Sequence, residues 1–397
     1  MKGFTDFILR PRNVYIIFFI GINLLNLQGI LAGGRLNTYD IYYYCFPNMI
    51  HHTDMYAPHL DQFDDLYKYT PTFAVYFAPF AILPYYLAYF LWNNMCMLIM
   101  PLAIYSLPLD TRKKSIICWF VFIECLTCLQ GTQGNTILAA LFVATFVAFE
   151  RKNVLLAALC IAIGTYIKIF PIASAVLFLL YPDKWKFIRY MAMWMVVMFL
   201  LPLCFIPFSE LIGQYKSLVN VTMADHTARF GISTIGLIAN NIGINHLWTF
   251  LLQVFGVLLF LSQLLRYKYF SYQEMRFYFF ASVLMCMVLV NHDAEDFSYP
   301  IFMIGAGIWY VLQPQKKWLS WMMFAFVIIV SVSPVDPTPK PIIHFVVAHT
   351  LKALFPTMLW FYIIYEIFTK RDWKTMIPVD EVSVHKEQES TAGISAS

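Results

Sequence analysis

Charged side chains are scarce in this chain of 397 residues: Asp, Glu, Lys and Arg together make up 13% of it, whereas 60% is hydrophobic. Soluble domains contain about one quarter charged residues, so the composition excludes an ordinary soluble core. Apolar runs of about 17–25 residues, the length that crosses a bilayer as a helix, recur from one end of the chain to the other. The sequence therefore predicts an all-α polytopic membrane protein.

Several motifs of soluble enzymes are missing. The chain contains no Walker motif, GxGxxG, GxSxG or HExxH, so nothing in it indicates nucleotide binding or a soluble hydrolase. Seven of the eight cysteines lie in apolar runs, where they are typical of small buried side chains, and no disulfide framework is indicated. His51, His52 and His59 lie among carboxylates, but their spacing matches no ligand motif, so we expect neither a metal nor a cofactor.

Apolar length places about twelve spans along the chain, the last of them a single run at 342–368. Basic clusters between the runs hold 20 of the 27 Lys and Arg and fall on one side, which the positive-inside rule assigns to the cytoplasm. Two long polar segments, at 35–71 and 209–245, then fall on the opposite side. We therefore expect one transmembrane domain at 1–374 and a disordered cytoplasmic tail at 375–397.

The first polar segment is rich in tyrosine and carboxylate. Such tyrosines suit a membrane–water boundary, with the hydroxyl in water. Asp40 lies near the start of the segment, where partial desolvation among tyrosines suits a general base. A helix cap explains Asp40 equally well, because Asp is a favoured N-cap residue. We expect the other carboxylates to form a solvated face: Asp54, Asp61, Asp64 and Asp65.

Lys168 lies within a run that is otherwise apolar, where two short predicted helices at 154–170 and 171–182 meet. An intramembrane charge costs about 2.5–3.5 kcal/mol on insertion scales, which favours a functional role. Its ammonium group suits a phosphate on a lipid carrier. The alternative is a lysine that snorkels from a helix end. Another short run, at 71–83, predicts a re-entrant or interfacial helix beside the first polar segment.

Further polar residues lie at predicted turns on the same side. Gln133 and Asn135 in QGTQGN are candidates to bond a sugar or a phosphate, but glycines that make the turn and amides that satisfy its backbone explain the pattern equally well. Arg229 is a candidate contact for an anionic donor. His292, in NHDAED, is a candidate ligand for a phosphate or a substrate hydroxyl, and the three carboxylates of that turn are also typical of a helix start.

Together these stretches resemble glycosyltransferase family 87, the polyprenyl-phosphate-mannose-dependent α-mannosyltransferases with the GT-C fold. The family's Tyr-to-Leu-Pro stretch matches YKYTPTFAVYFAPFAILP, which contains Tyr69. Its Gln-x-Asn turn matches Gln133 and Asn135, and its Lys-x-x-Pro matches KIFP, which begins at Lys168. The resemblance covers the first half of the chain, and the second half matches only in layout, with His292 as the carried residue.

The resemblance implies an inverting, metal-independent GT-C hexosyltransferase with two long extracytoplasmic loops, in a bacterial inner (plasma) membrane. A hexose, expected to be mannose, would pass from a polyprenyl-phosphate sugar to a glycan or glycolipid acceptor at the periplasmic or outer face, with no nucleic-acid partner. A polysaccharide polymerase or a lipid-linked glycan transporter stays open as the alternative. The implied roles are a general base at Asp40, donor-phosphate contacts at Lys168, Arg229 and His292, and substrate contacts at Tyr69, Gln133 and Asn135.

Overall fold

The computed structural model describes residues 2–33, 36–225, 230–292, 294–314, 316–332 and 340–374. All regular secondary structure in these ranges is helical, which confirms the predicted all-α class. The α-helices are α1 (Lys2–Ile8), α2 (Pro11–Ala32), α3 (Asn37–Ile50), α4 (Pro71–Ala81), α5 (Tyr85–Tyr105), α6 (Thr111–Gln130), α7 (Asn135–Glu150), α8 (Val154–Ile167), α9 (Lys184–Leu200), α10 (Phe208–Asp225), α11 (Thr234–Ile242), α12 (His246–Ser262), α13 (Gln273–Leu289), α14 (Tyr299–Leu312), α15 (Lys317–Val332), α16 (Lys340–Ala348) and α17 (Leu354–Thr369). Further 3₁₀ helices lie at Phe170–Leu180, Leu201–Cys204, Gln263–Tyr269, Asp296–Ser298 and Leu351–Ala353.

Helix length and apolar composition confirm a polytopic membrane protein. Within the described residues, five helical stretches are long and apolar enough to cross a bilayer: Pro11–Ala32, Tyr85–Tyr105, Lys184–Cys204, Leu247–Tyr269 and Leu351–Thr369. Shorter apolar helices add to them at Asn135–Glu150, Val154–Ile167, Phe170–Leu180, Asp296–Leu312 and Lys317–Ser331. The count of about twelve spans and the GT-C arrangement stay predictions, and the predicted disordered tail lies outside the described residues.

The centre of the protein is a packed set of helices. Side chains along nearly the whole of α13 and α14 are buried, and α14 packs on both α13 and α6. The outer helices instead expose large apolar side chains: Leu24 of α2 is 63% exposed and Phe255 of α12 is 58% exposed. Because water would disfavour this surface, the outer helices present it to lipid.

Amide pairs join two of the membrane helices. Asn23 and Asn94 exchange side-chain hydrogen bonds at 3.2 Å, and Nδ2 of Asn93 donates to Oδ1 of Asn26 at 2.8 Å. Polar side chains of this kind link helices in a bilayer, where lipid offers them no partners. The pairs fix how α2 lies against α5, and α2 leads directly to the first polar segment.

One predicted boundary needs correction. The run at 342–368 is not one span, because the chain breaks between α16 and α17, where Thr350 has φ of 53°. The second polar segment, 209–245, includes α11 and all of α10 except its first residue. By contrast, the short helix predicted at 71–83 is present as α4, and it packs against α3.

The first polar segment is more buried than its composition suggests. Its tyrosines Tyr39, Tyr42, Tyr56 and Tyr67 are 0–3% exposed, so the expectation of wet hydroxyl groups is wrong for them. Their hydroxyls bond to protein groups instead, as Tyr56 does in donating to the carbonyl of Tyr69 at 2.7 Å. The aromatic rings pack on one another, so this segment has a packed core of its own tyrosines.

Candidate active site

Three separate segments meet at a group of hydroxyls and an amide. Tyr42 of α3 and Tyr69, just before α4, share a hydrogen bond of 2.6 Å between their hydroxyls. Tyr69 also donates to Oε1 of Gln133 at 3.3 Å, and Nε2 of Gln133 donates to the hydroxyl of Thr38 at 3.4 Å. Burial raises the pKa of both tyrosines, so their hydroxyls stay protonated and act as donors at neutral pH.

Lys168 lies beside this group. It follows the last residue of α8 in an extended conformation, with φ of −136° and ψ of 147°. Its Nζ lies 5.7 Å from the centre of the Tyr69 ring and 3.7 Å from Oε2 of Glu295, and its side chain is 24% exposed. The positive charge of Lys168 partly offsets the burial that raises the pKa of Tyr69. The predicted pair of short helices with Lys168 at their junction is therefore confirmed, and its ammonium faces protein groups.

The backbone of the QGTQGN turn does not depend on its glycines, as the alternative explanation required. Gly131 and Gly134 have φ of −82° and −77°, and the positive φ of the turn, 54°, belongs to Thr132. Gly131 is needed for space, because a Cβ there would lie 2.7 Å from Cζ of Phe297. The amide of Gln133 bonds to the tyrosines and Thr38, as described above. Gly131 thus leaves room for Phe297, and the side chain of Gln133 bonds residues of the first polar segment.

Asn135 differs from Gln133 in its surroundings. It is the first residue of α7 and is 0% exposed, and neither atom of its side-chain amide has a hydrogen-bond partner. A buried amide without partners costs free energy. The structure brings Tyr69, Gln133 and Lys168 together, whereas the side chain of Asn135 is buried without a hydrogen bond to any of them.

Asp40 lies elsewhere on α3. It is 4% exposed and accepts a short hydrogen bond from the hydroxyl of Tyr85. The N-cap position of α3 is Leu36, and Asp40 is the fourth helical residue, so the capping alternative is wrong. Asp40 and Tyr42 are about 200° apart around the helix, which points them to opposite sides. The structure therefore does not place Asp40 with Lys168. The segment's Asp54, Asp61, Asp64 and Asp65 are all exposed, as expected of a solvated face.

His292 joins the second polar segment to the end of α13. Nε2 of Gln253 donates to its Nδ1 at 2.7 Å, and its carbonyl accepts a hydrogen bond from the backbone N–H of Gly231 at 2.7 Å. Glu295, the partner of Lys168, is three residues further along. His292 is thus in the turn that borders Lys168. Arg229, the other predicted phosphate contact, lies outside the described residues.

An apolar groove of about 310 Å³ is lined in part by residues that are close to Lys168 and His292 in the chain. Its lining includes Phe170, two residues after Lys168, and Asn291, which precedes His292. The other lining residues come from the 3₁₀ helix after Lys168, from α12 and from α13 and its C-terminal end: Ala173, Val176, Val257, Phe260, Leu261, Val283, Cys286, Met287 and Val290. A long apolar chain fits this surface better than a sugar does.

A comparison of the sequence with known protein families identifies the family of the chain. A sequence profile of glycosyltransferase family 87 matches residues 67–291, more than half of the chain. The chain belongs to glycosyltransferase family 87. No curated protein gave a match. The family 87 match includes Tyr69, Gln133 and Lys168, whereas Asp40 and His292 lie outside it.

Sequence reasoning missed a second charged group in this family 87 chain. Glu124 of α6, Asp296 and Lys352 form a buried ion cluster, with Nζ of Lys352 3.0 Å from Oε1 of Glu124. The available signal was the one that identified Lys168, a charge inside an apolar run. Glu124 lies within CWFVFIECLTCLQ, and Lys352 lies in the run that looked like a single span.

Proposed function

We propose that this family 87 glycosyltransferase uses a polyprenyl-phosphate hexose, with mannose as the expected sugar. The hexose is transferred with inversion to a glycan or glycolipid acceptor at the periplasmic or outer face of a bacterial inner membrane. The observation that carries the proposal is the position of Lys168. Its ammonium lies 5.7 Å from the centre of the Tyr69 ring, and Phe170, two residues further along the chain, lines an apolar groove. A polyprenyl-phosphate hexose has one part for each feature: a sugar for the Tyr69–Gln133 group, a phosphate for Lys168 and a long apolar chain for the groove.

Lys168 supplies the charge for the phosphate. An ammonium group is a compact cation with three donors and suits a monophosphate. Oε2 of Glu295 lies 3.7 Å from it, and because the Glu295 side chain is 51% exposed, it can turn toward water as the phosphate binds. His292 and Arg229 are the further proposed contacts. When the bond from the sugar to the phosphate breaks, the departing lipid phosphate carries the extra negative charge, which Lys168 stabilises.

The groove takes the isoprenyl chain. Its walls are apolar, and each CH₂ group that leaves water contributes about 0.8 kcal/mol. The groove lies against α12, one of the helices that expose apolar side chains to lipid. A donor therefore enters sideways from the bilayer with its head group at Lys168. Tyr69, Gln133 and Asn135 are the proposed contacts for the hexose.

Asp40 acts as the general base in this mechanism. Its carboxylate takes the proton of the acceptor hydroxyl as that oxygen attacks the anomeric carbon on the side opposite the phosphate. Asp40 bonds Tyr85 on the side of α3 opposite Tyr42. The proposed reaction therefore requires the first turn of α3 to shift. The basic clusters at the other helix ends support the outward orientation of the site.

Family membership favours transfer over transport. The same membership does not identify the donor, so donor binding is the property to test. Binding of undecaprenyl phosphate to the purified protein in nanodiscs, compared with undecaprenol, isolates the contribution of the phosphate. We expect the phosphate to bind more tightly, and we expect Lys168→Met to weaken it about 10–100-fold, the loss of hydrogen bonds to a charged group.

The controls separate charge from general damage. Lys168→Arg keeps the positive charge and should lose less affinity than Lys168→Met. Lys216→Met changes an exposed lysine on α10 and should bind as the wild type does. Equal affinity of the wild type for undecaprenyl phosphate and undecaprenol, or unchanged binding by Lys168→Met, would contradict the assignment and leave only the snorkelling explanation.

A further inference from the structure

Three charged side chains that the proposed mechanism does not use meet inside the protein. We call Glu124, Asp296 and Lys352 the buried triad. Nζ of Lys352 lies 3.0 Å from Oε1 of Glu124, donates to Oδ1 of Asp296, and lies 4.4 Å from the ring centre of Tyr299. The side chains of Glu124 and Lys352 are 0% and 3% exposed, and that of Asp296 is 23% exposed. One ammonium group therefore serves two carboxylates from different parts of the chain.

Fold stability alone does not account for such an arrangement. Removing charges from water is costly, and replacing a buried ion pair with apolar side chains of similar size is often neutral or stabilising. Within a bilayer, ionisable side chains are rare and mark functional positions. The best supported benefit of a buried ionic group is that it selects one register of the segments that carry it. The segment to consider is therefore the one that carries Asp296.

Three consecutive residues of that segment contact three different parts of the protein. The carboxylate of Glu295 lies 3.7 Å from Lys168. The next residue, Asp296, bonds Lys352. The ring of Phe297 then fills the space left by the absent side chain of Gly131, in the turn that also carries Gln133. A shift of this segment by one residue would break all three contacts together.

The triad ties the segment to two other helical elements. Glu124 is on α6, six residues before Gln130, where that helix ends, and Lys352 lies in the 3₁₀ turn that precedes α17. Glu124 is fully buried, and α6 packs against α14 in the centre of the protein. The triad therefore joins residues 294–298 to α6 and to the turn before α17.

We propose that Lys352 is a positioning residue for the donor site: through Asp296 it holds the segment 294–298 in register, and so sets where Glu295 and Phe297 lie against Lys168 and the QGTQGN turn. The inference rests on the proposed function in taking Lys168 as the donor-phosphate contact. Lys352 itself does not touch the donor. It raises donor affinity because the site is already formed when the phosphate arrives.

The experiment uses a variant with no charge left to bury. Lys352→Met alone would leave two buried carboxylates without a cation and would confuse misfolding with loss of position. The triple variant Glu124→Gln, Asp296→Asn and Lys352→Met keeps the approximate volumes and removes all three charges. We expect it to unfold at a temperature close to that of the wild type, yet to bind undecaprenyl phosphate about tenfold more weakly. In transfer assays the donor KM should rise while kcat changes less.

A matched control lies at the opposite helix ends. Lys370 and Glu274 form a partly buried ion pair of 2.7 Å, and the double variant Lys370→Met and Glu274→Gln removes it. This variant should keep wild-type donor affinity if donor binding depends on the triad rather than on ion pairs in general. A triple variant with both wild-type unfolding temperature and wild-type affinity would overturn the inference and leave the triad a purely structural cluster.

A measurement without ligand separates this inference from the proposed function. Acetylation of Lys168 by acetic anhydride, followed by mass spectrometry, reports the contact between Lys168 and Glu295 directly. We expect faster acetylation in the triple variant than in the wild type, because the segment that carries Glu295 is released. An unchanged rate would refute the positioning role, whatever the donor is. Failure of the wild type to prefer undecaprenyl phosphate over undecaprenol would refute the proposed function alone.

Discussion

Asp40 shows how one residue is constrained by its neighbours. Its burial and its short hydrogen bond from Tyr85 give it a fixed orientation on α3. A base needs the right geometry as well as the right protonation state, and catalytic hydrogen bonds often form only when substrates are bound. Substitution of Asp40 therefore tests directly whether it acts as the general base.

Asp40→Asn keeps the size and the hydrogen-bond acceptor for Tyr85 but cannot take a proton. Loss of a general base costs on the order of 10²–10⁴-fold in rate, so we expect kcat to fall by that amount with donor binding intact. Tyr85→Phe removes the hydrogen bond and leaves the carboxylate, and we expect it to cost much less. Rates of hexose transfer by the three purified proteins provide the measurement.

The exposed carboxylates of the same segment serve as controls. Asp61→Asn, Asp64→Asn and Asp65→Asn should each retain wild-type activity, because these side chains face solvent. If Asp40→Asn stays active and one of these three variants does not, the base lies elsewhere in the segment.

At the scale of single elements, the QGTQGN turn joins the helix bundle to the segment 294–298. Gly131 has a φ of −82°, which any residue adopts, so the cost of a side chain there is steric. Overpacking of this kind costs about 1–3 kcal/mol, and the lower figure applies where the far end of a ring can move. The turn therefore depends on Phe297.

Gly131→Ala should lower the stability by about 1 kcal/mol and also raise the donor KM, because the displaced ring moves the turn that carries Gln133. Combining it with Phe297→Leu should restore both. Gly213→Ala is the matched control: its Cβ meets nothing within 4 Å, and alanine favours the helix α10. Thermal unfolding in detergent with donor kinetics checks the set. Identical behaviour of Gly131→Ala and Gly213→Ala would contradict this account of the turn.

Element boundaries followed from the sequence where one physical rule decides them. Apolar length predicts spans at 14–32, 84–107 and 136–149, which lie within a few residues of α2, α5 and α7, because the bilayer sets the length of a span. The same rule missed the helices α3 and α10, whose sequences are polar and aromatic and whose burial depends on distant partners. It also joined α16 and α17, because the break at Thr350 is a matter of local backbone conformation.

At the scale of the whole molecule, the sequence predicted which loops lie on the same face but not which residues contact one another. The basic clusters predicted that the first polar segment, the QGTQGN turn, Lys168 and the NHDAED turn share one face, and the structure brings them together. The contact between Glu124 and Lys352, 228 positions apart, could not be predicted, because apolar patterns do not specify which helices are neighbours. The sequence shows only that each of the two charged residues lies within an apolar run.

The central claim is that this family 87 protein takes its sugar from a polyprenyl phosphate. The most direct measurement incubates the purified protein with undecaprenyl-phosphate hexoses (mannose, glucose and galactose) or with GDP-mannose, and with glycolipid acceptors from bacterial membranes. We predict transfer from a lipid-linked hexose and none from GDP-mannose, with inversion at the anomeric carbon and no effect of EDTA. Transfer from GDP-mannose, or no transfer from any lipid donor by a protein that moves lipid-linked glycans across vesicle membranes, would contradict the account.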